Sequence, residues 1–359
     1  MTHSKTDTYT GIQALRFVAA MMVVFSHVTS MLVDRYQSSS VGRWSTGHAG
    51  VDIFFVISGF VMYQSFQPLR ARADGWRLFL SRRLIRIVPL YWMATTLKVA
   101  LVLAVPSLAA TSKIAFSHLV ASYLFLPVLA PAGVAVPFMP VGWTLNYEMF
   151  FYCLCSIALF AAVSPFVFST IVLSALVVFG FAHEQSAPLE TSYTNPIVVE
   201  FILGMSVAKL TRGRASAHSL VSCAMIAAGA SLILLAEPDP TVSRPFTWGV
   251  PAALIVLGAA QLEGVLRKVL PRVLLLLGDS SYALYLVHTF VVPVVGLALM
   301  RTRWANPWMV LATAAAVSAG VSVAVHKLVE RPMTDKLKRL LPVQFRYSDS
   351  TLLREREKN

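Results

Sequence analysis

The sequence predicts an all-α, polytopic integral membrane protein of about ten transmembrane helices, with both termini in the cytoplasm. Three observations predict it: a shortage of charge, repeated apolar runs of membrane-crossing length, and a lopsided placement of lysine and arginine. Hydrophobic residues make up 57% of the 359-residue chain and charged residues only 13%, and the mean hydropathy is +0.68. A soluble domain carries roughly 25% charged residues.

Crossing a hydrocarbon layer of about 30 Å takes roughly 20 helical residues. Runs of that kind recur at approximately 11–33, 50–67, 87–107, 142–162, 166–183, 195–211, 218–236, 246–263, 272–300 and 307–329. The first holds Arg16 and His27 and no small-residue cleavage site follows it, so it reads as a retained helix and not a signal peptide. The stretch Ile114 to Leu129 is also apolar, but it is short and runs into the Pro-rich VLAPAGVAVPFMP, which marks it as interfacial or re-entrant. No fixed-period repeat or low-complexity linker divides the chain. One helical domain over 1–332 is expected, with a short basic tail over 333–359.

Orientation follows from the basic residues. With the N-terminus inside, most of the 30 lysines and arginines fall on the inner side of alternating helices. The outer side holds only Arg35, Arg43, Lys113, Arg244, Arg301 and Arg303. Cytoplasmic loops are the ones that collect lysine and arginine. The net charge of +13 would by itself suggest a nucleic-acid partner, but the basic residues lie between apolar runs and not along a surface stripe, which excludes that class. Cys153, Cys155 and Cys223 sit in apolar runs with no CxxC pair. No metal-ligand spacing is present, so no metal site is expected.

Ionisable groups inside membrane helices are costly and become functional candidates by default. Here they are Arg16, His27, Asp52, Glu148, Glu200, Asp279 and His288, with Glu330 at the last helix end. Arg16 and His27 are eleven residues apart. At about 100° per residue they return to nearly one helix face, separated by a rise of roughly 16 Å. A cation and an imidazole on one stripe point to a lined cavity, although an anchoring arginine and a satisfied core histidine would give the same spacing.

In GHAGVDIFFVISGF, Asp52 stands where a carboxylate can cap the amides at a helix start, and the Ser58-Gly59 pair permits close helix approach. In RRLIRIVPLYW, Arg82, Arg83 and Arg86 crowd one face if the segment is helical. A multiply charged anion relieves such crowding, and guanidinium forks suit phosphate oxygens. Lipid phosphates would serve, and so would a phosphorylated cofactor such as coenzyme A. Snorkelling to head groups is the simpler explanation for the same arginines. In WTLNYEMFFY, Glu148 lies among aromatics, where it either carries chemistry or pairs with an arginine to stitch helices together. Asp279 and His288, in GDSSYALYLVHTF, project to roughly opposite sides, so no contact between them is expected.

Taken in order, the Arg16-to-His27 spacing, GVDIFFVISGF, RRLIRIVPLYW, WTLNYEMFFY, GDSSYALYLVH and the closing Glu330-Arg331-Pro332 resemble the membrane acyltransferase-3 family, close to bacterial exopolysaccharide O-acetyltransferases. The resemblance runs from about Gly11 to Pro332. Each motif alone is weak, and six in the family's order are strong. Arg331 stands where lysine is common, a mild departure.

The resemblance implies a ten-helix protein of the bacterial inner membrane that takes acetyl from cytoplasmic acetyl-CoA and delivers it to a sugar hydroxyl of an envelope or extracellular carbohydrate. It carries importance over to Arg16 and His27, to Arg83 and Arg86 as an RxxR pair, and to Glu330. Glu148 and His288 fall on recurrent motif positions of less defined role.

Acyl transfer from a thioester needs a base for the attacking hydroxyl and stabilisation of the oxyanion. His27 is the expected base, Arg16 is expected to stabilise charge or orient the thioester, and Arg82, Arg83 and Arg86 to hold the coenzyme A phosphates. The pantetheine arm reaching His27 directly and a transiently acylated His27 are both open. The rival class is a transporter or flippase for a lipid-linked saccharide, in which the same polar stripe lines a pathway. A structural component of a polysaccharide assembly complex is the third reading. The carbohydrate acceptor and the oligomeric state are left open.

Overall fold

The apolar segments fold as helices, because a membrane-buried backbone must satisfy its amides and carbonyls internally. The computed structural model describes residues 9–38, 40–105, 114–131, 133–183, 187–212, 218–236, 243–302 and 306–341. Lys5, Lys113, Arg214, Arg303 and the tail from 342 onward lie outside the described residues.

In chain order the helices are α1 (Thr10–Asp34), α2 (Ala49–Phe66), α3 (Gly75–Ala104), α4 (Phe116–Tyr123), α5 (Trp143–Phe160), α6 (Pro165–Ala182), α7 (Pro188–Tyr193), α8 (Val199–Thr211), α9 (Ser219–Leu235), α10 (Val250–Gln261), α11 (Glu263–Val269), α12 (Arg272–Asp279), α13 (Ser281–Met300), α14 (Pro307–Val325) and α15 (Arg331–Leu340). Among the described residues there are no strands. Among the described residues, six helical stretches are long and apolar enough to cross a membrane: Thr10–Asp34, Ser45–Leu69, Gly75–Ala104, Pro165–Ala182, Ser281–Met300 and Pro307–Leu340. A seventh is added if Pro245–Gln261 and Glu263–Val269, bent by 72° at their junction, are taken as one span. Helix α4 has eight residues and so rises about 12 Å, too little to cross.

Three helix boundaries differ from the sequence reading. Helix α3 begins at Gly75 and not at Ile87, so Arg82, Arg83 and Arg86 lie inside it. The arginine-rich turns are polar on one side only, and Leu78 and Phe79 on the other pack wholly into the core. The segment 272–300 is broken at Ser280, whose hydroxyl bonds the carbonyl of Leu277 and competes there with the helical amide. The last helix does not end at 329. A π-helical turn at His326–Glu330 carries it on to Leu340, with the Arg331 amide reaching back to the His326 carbonyl. The wider turn accommodates Pro332, which has no amide to donate.

Helix α2 is the hub. It packs on α1, α8 and α10, and its closest partner is α8. A Cβ on Gly59 would run into the Phe201 carbonyl, and one on Gly204 into that of Val56, so the two backbones meet with nothing between them. The rest of the core is aromatic and aliphatic, with Phe55, Phe151 and Phe201 stacked at ring separations of 4.8 and 4.4 Å. Leu103, Ile171, Val178, Leu235 and Val294 point outward and exposed. An apolar exterior of this kind is a surface for lipid. The chain is a multi-pass membrane protein.

Candidate active site

Five helices enclose a cavity of about 90 Å³. Its lining brings Arg16 of α1 together with Arg83 and Arg86 of α3, Glu148 and Tyr152 of α5, Tyr282 and Tyr285 of α13, and an apolar wall from α2 that includes Phe54, Ser58 and Val61. Residues far apart in sequence converge here because each sits on the inward face of its helix.

The polar groups are held individually. The Tyr152 hydroxyl donates to Glu148 Oε2 at 2.7 Å, one helical turn away. Arg83 donates from Nη2 to Ser65 Oγ at 2.5 Å. Its Nε, like the hydroxyl of Ser58, is buried without a partner among the described residues. Tyr282 donates to the Ile87 carbonyl at 2.7 Å and Tyr285 to that of Val141 at 3.0 Å, which pins both rings across the cavity. Three guanidiniums face one carboxylate among the lining residues. Half-buried cations in that excess favour an anion, and an orphaned guanidinium N–H supplies a donor for one.

Arg82 is half-buried on the same helix but is not part of the lining. Glu330 faces His326, with Oε2 2.9 Å from the imidazole Nδ1. Asp279 is held by the Gln13 side chain. Asp52 does not cap its helix. It lies wholly buried in the first turn of α2, and Arg244 grips both carboxylate oxygens at 2.9 Å. Among the described residues no three His, Cys, Asp or Glu side chains group as metal ligands.

The structure does not bring Arg16 and His27 into one cavity. Arg16 lines the cavity and His27 does not. A row of rings runs from the cavity wall to His27. Tyr285 lines the cavity and lies 6.0 Å from His288, whose ring is 5.0 Å from His27. His48, exposed at the far side, is 6.1 Å from His27. The rise of α1 already separates Arg16 from His27.

Sequence reasoning did not single out Tyr152, Tyr285, His48 or Arg244. The i,i+4 spacing of Glu148 and Tyr152 was a usable signal. Arg244 gave none, because its partner is 192 residues away.

A family model described as an acyltransferase domain matches residues 9–327. The chain belongs to the acyltransferase-3 family. It is 35% identical over 318 residues to the exopolysaccharide production protein ExoZ of Rhizobium meliloti (strain 1021), covering 81% of this chain and 90% of that protein. It is also 28% identical over 375 residues to the acyltransferase MdmB of Streptomyces mycarofaciens, covering 93% of each. No solved structure matches it significantly. The chain is therefore an acyltransferase, and the cavity is read below as part of its machinery.

Proposed function

We propose that this acyltransferase takes acetyl from acetyl-CoA on the cytoplasmic side of a bacterial inner membrane and delivers it to a hydroxyl of an envelope or extracellular carbohydrate. The observation that carries the reading is the cavity lined by Arg16, Arg83 and Arg86 together with Glu148. It is an anion site inside a membrane protein. Ten spans with both termini cytoplasmic, as the distribution of basic residues favours, put that site at the cytoplasmic end. The relative named for exopolysaccharide production supports a carbohydrate acceptor.

In this reading Arg83 and Arg86 hold donor phosphates by paired N–H donors, with Arg82 at the margin and Arg16 deeper on the thioester side. Glu148, tied to Tyr152, balances the guanidiniums when no donor is bound. Asp52 and Glu330, paired with Arg244 and His326, fix the helices around the path. The thioester end points along Tyr285 and His288 toward His27. As the acceptor oxygen attacks the thioester carbonyl, His27 takes the hydroxyl proton. It returns that proton to the departing sulfur, so that coenzyme A leaves as the thiol. Near-attack placement of donor and acceptor then supplies much of the rate.

The test is chemical analysis of envelope and secreted polysaccharide from cells with and without the gene. O-acetyl signals in the proton NMR spectrum are expected to disappear on deletion and return on complementation. Unchanged O-acetylation in the deletion strain, across polysaccharide and small glycoside fractions, contradicts the carbohydrate acceptor.

A further inference from the structure

His288 is wholly buried, and its two ring nitrogens are in different states. Nδ1 lies 3.1 Å from the Leu284 carbonyl, one turn back on α13. A carbonyl oxygen only accepts, so Nδ1 carries the hydrogen, and in a neutral imidazole Nε2 is then a bare acceptor. That Nε2 is buried with no partner among the described residues. An unsatisfied buried acceptor is costly and calls for an explanation.

The neighbour that can satisfy it is His27. The two ring centroids are 5.0 Å apart with planes inclined at 53°. At that separation the nitrogen-bearing edges of two imidazoles come within hydrogen-bond reach after a small rotation of one ring. Such contacts are commonly loose until substrate is bound. Tyr285, pinned to the Val141 carbonyl, packs against His288 from the cavity side at 6.0 Å and keeps it from turning away.

We propose that His288 is a positioning residue for His27: its bare Nε2 accepts the N–H of His27 and holds that imidazole with the opposite nitrogen turned to the acceptor hydroxyl. The inference rests on the acyl-transfer reading above. No proton changes owner between the two rings. His27 gains the hydroxyl proton on its free nitrogen and becomes an imidazolium, while the hydrogen shared with His288 stays on His27. An oriented neutral acceptor thus does for His27 what a third group does for the base in a nucleophile–base pair.

The experiment measures steady-state acetyl transfer from acetyl-CoA by membranes carrying the full chain, with wild type, His27→Ala, His288→Phe and His288→Gln. Phenylalanine fills the site without an acceptor, whereas glutamine places an oxygen near the Nε2 position. His288→Phe is expected to lower kcat about 100-fold with KM for acetyl-CoA within about twofold, and His288→Gln to recover at least about a tenth of the wild-type rate. Should the phenylalanine variant fail to reach the membrane, His288→Asn, too short to reach His27, takes its place with the same expectation. Full kcat without an acceptor, equal losses in both variants, or a change confined to KM overturns the proposal. Loss of the acyl-transfer reading itself looks different: wild-type membranes then transfer no acetyl, or His27→Ala remains active.

Discussion

Asp52 and Arg244 form a two-pronged ion pair within the helical bundle, with both carboxylate oxygens 2.9 Å from guanidinium nitrogens and the carboxylate wholly buried. Glu200, also wholly buried, lies beside them. One cation therefore serves two buried acids, and it also sits over the Trp248 ring at 5.0 Å.

Removing that cation leaves two acids facing each other. Arg244→Met is expected to cost about 3–5 kcal/mol, the usual penalty for stranding one partner of a buried pair. Adding Glu200→Gln to that variant should recover part of the loss, because it removes one of the two stranded carboxyls. Thermal unfolding of the purified variants in detergent checks both. An Arg244→Met protein as stable as wild type contradicts the pairing.

The cavity arginines make a binding prediction. A hydrogen bond to a charged group contributes about 1.5–3 kcal/mol, so Arg83→Ala or Arg86→Ala should raise KM for acetyl-CoA about 10–100-fold. Arg83→Lys should recover little, since an ammonium does not reproduce the planar fork. Initial rates at varied acetyl-CoA decide it. A loss of kcat at constant KM would place the arginines elsewhere in the reaction.

Much of this site was legible in the sequence, and the reason is energetic. Arg16, Arg83, Arg86 and Glu148 stand out because a bilayer rejects charge, and the folded chain gathers all four around one cavity. The ring row was not legible. His27, His48 and His288 come from α1, the turn before α2, and α13, and no local spacing announces that their rings will meet. The same limit hid Arg244 as the partner of Asp52. Boundaries failed where polar side chains masked helix: the arginine-rich turns from Gly75 fell outside the apolar run that starts at 87, and nothing in the sequence marks the break at Ser280. The apolar run ends at 329, but the π-helical turn at His326–Glu330 lets the helix continue past Pro332.

The contact between α2 and α8 gives a prediction about folding alone. Gly204→Val places side-chain atoms against the Val56 backbone and should cost at least about 1–3 kcal/mol, as overpacking does. Gly320, which has open space around the Cβ position, should accept valine with little change. The melting temperatures of the two variants in detergent provide the comparison. Equal melting points would show that the α2–α8 approach is not as close as described.

The account as a whole stands on His27 receiving what the arginine cavity holds. Inverted membrane vesicles expose the cytoplasmic face to added donor, so radiolabelled acetyl-CoA can be supplied there with polysaccharide enclosed. Wild-type vesicles are expected to move label into the carbohydrate, and His27→Ala vesicles to retain the donor unused at equal protein level. Label transfer by His27→Ala at the wild-type rate would contradict the account.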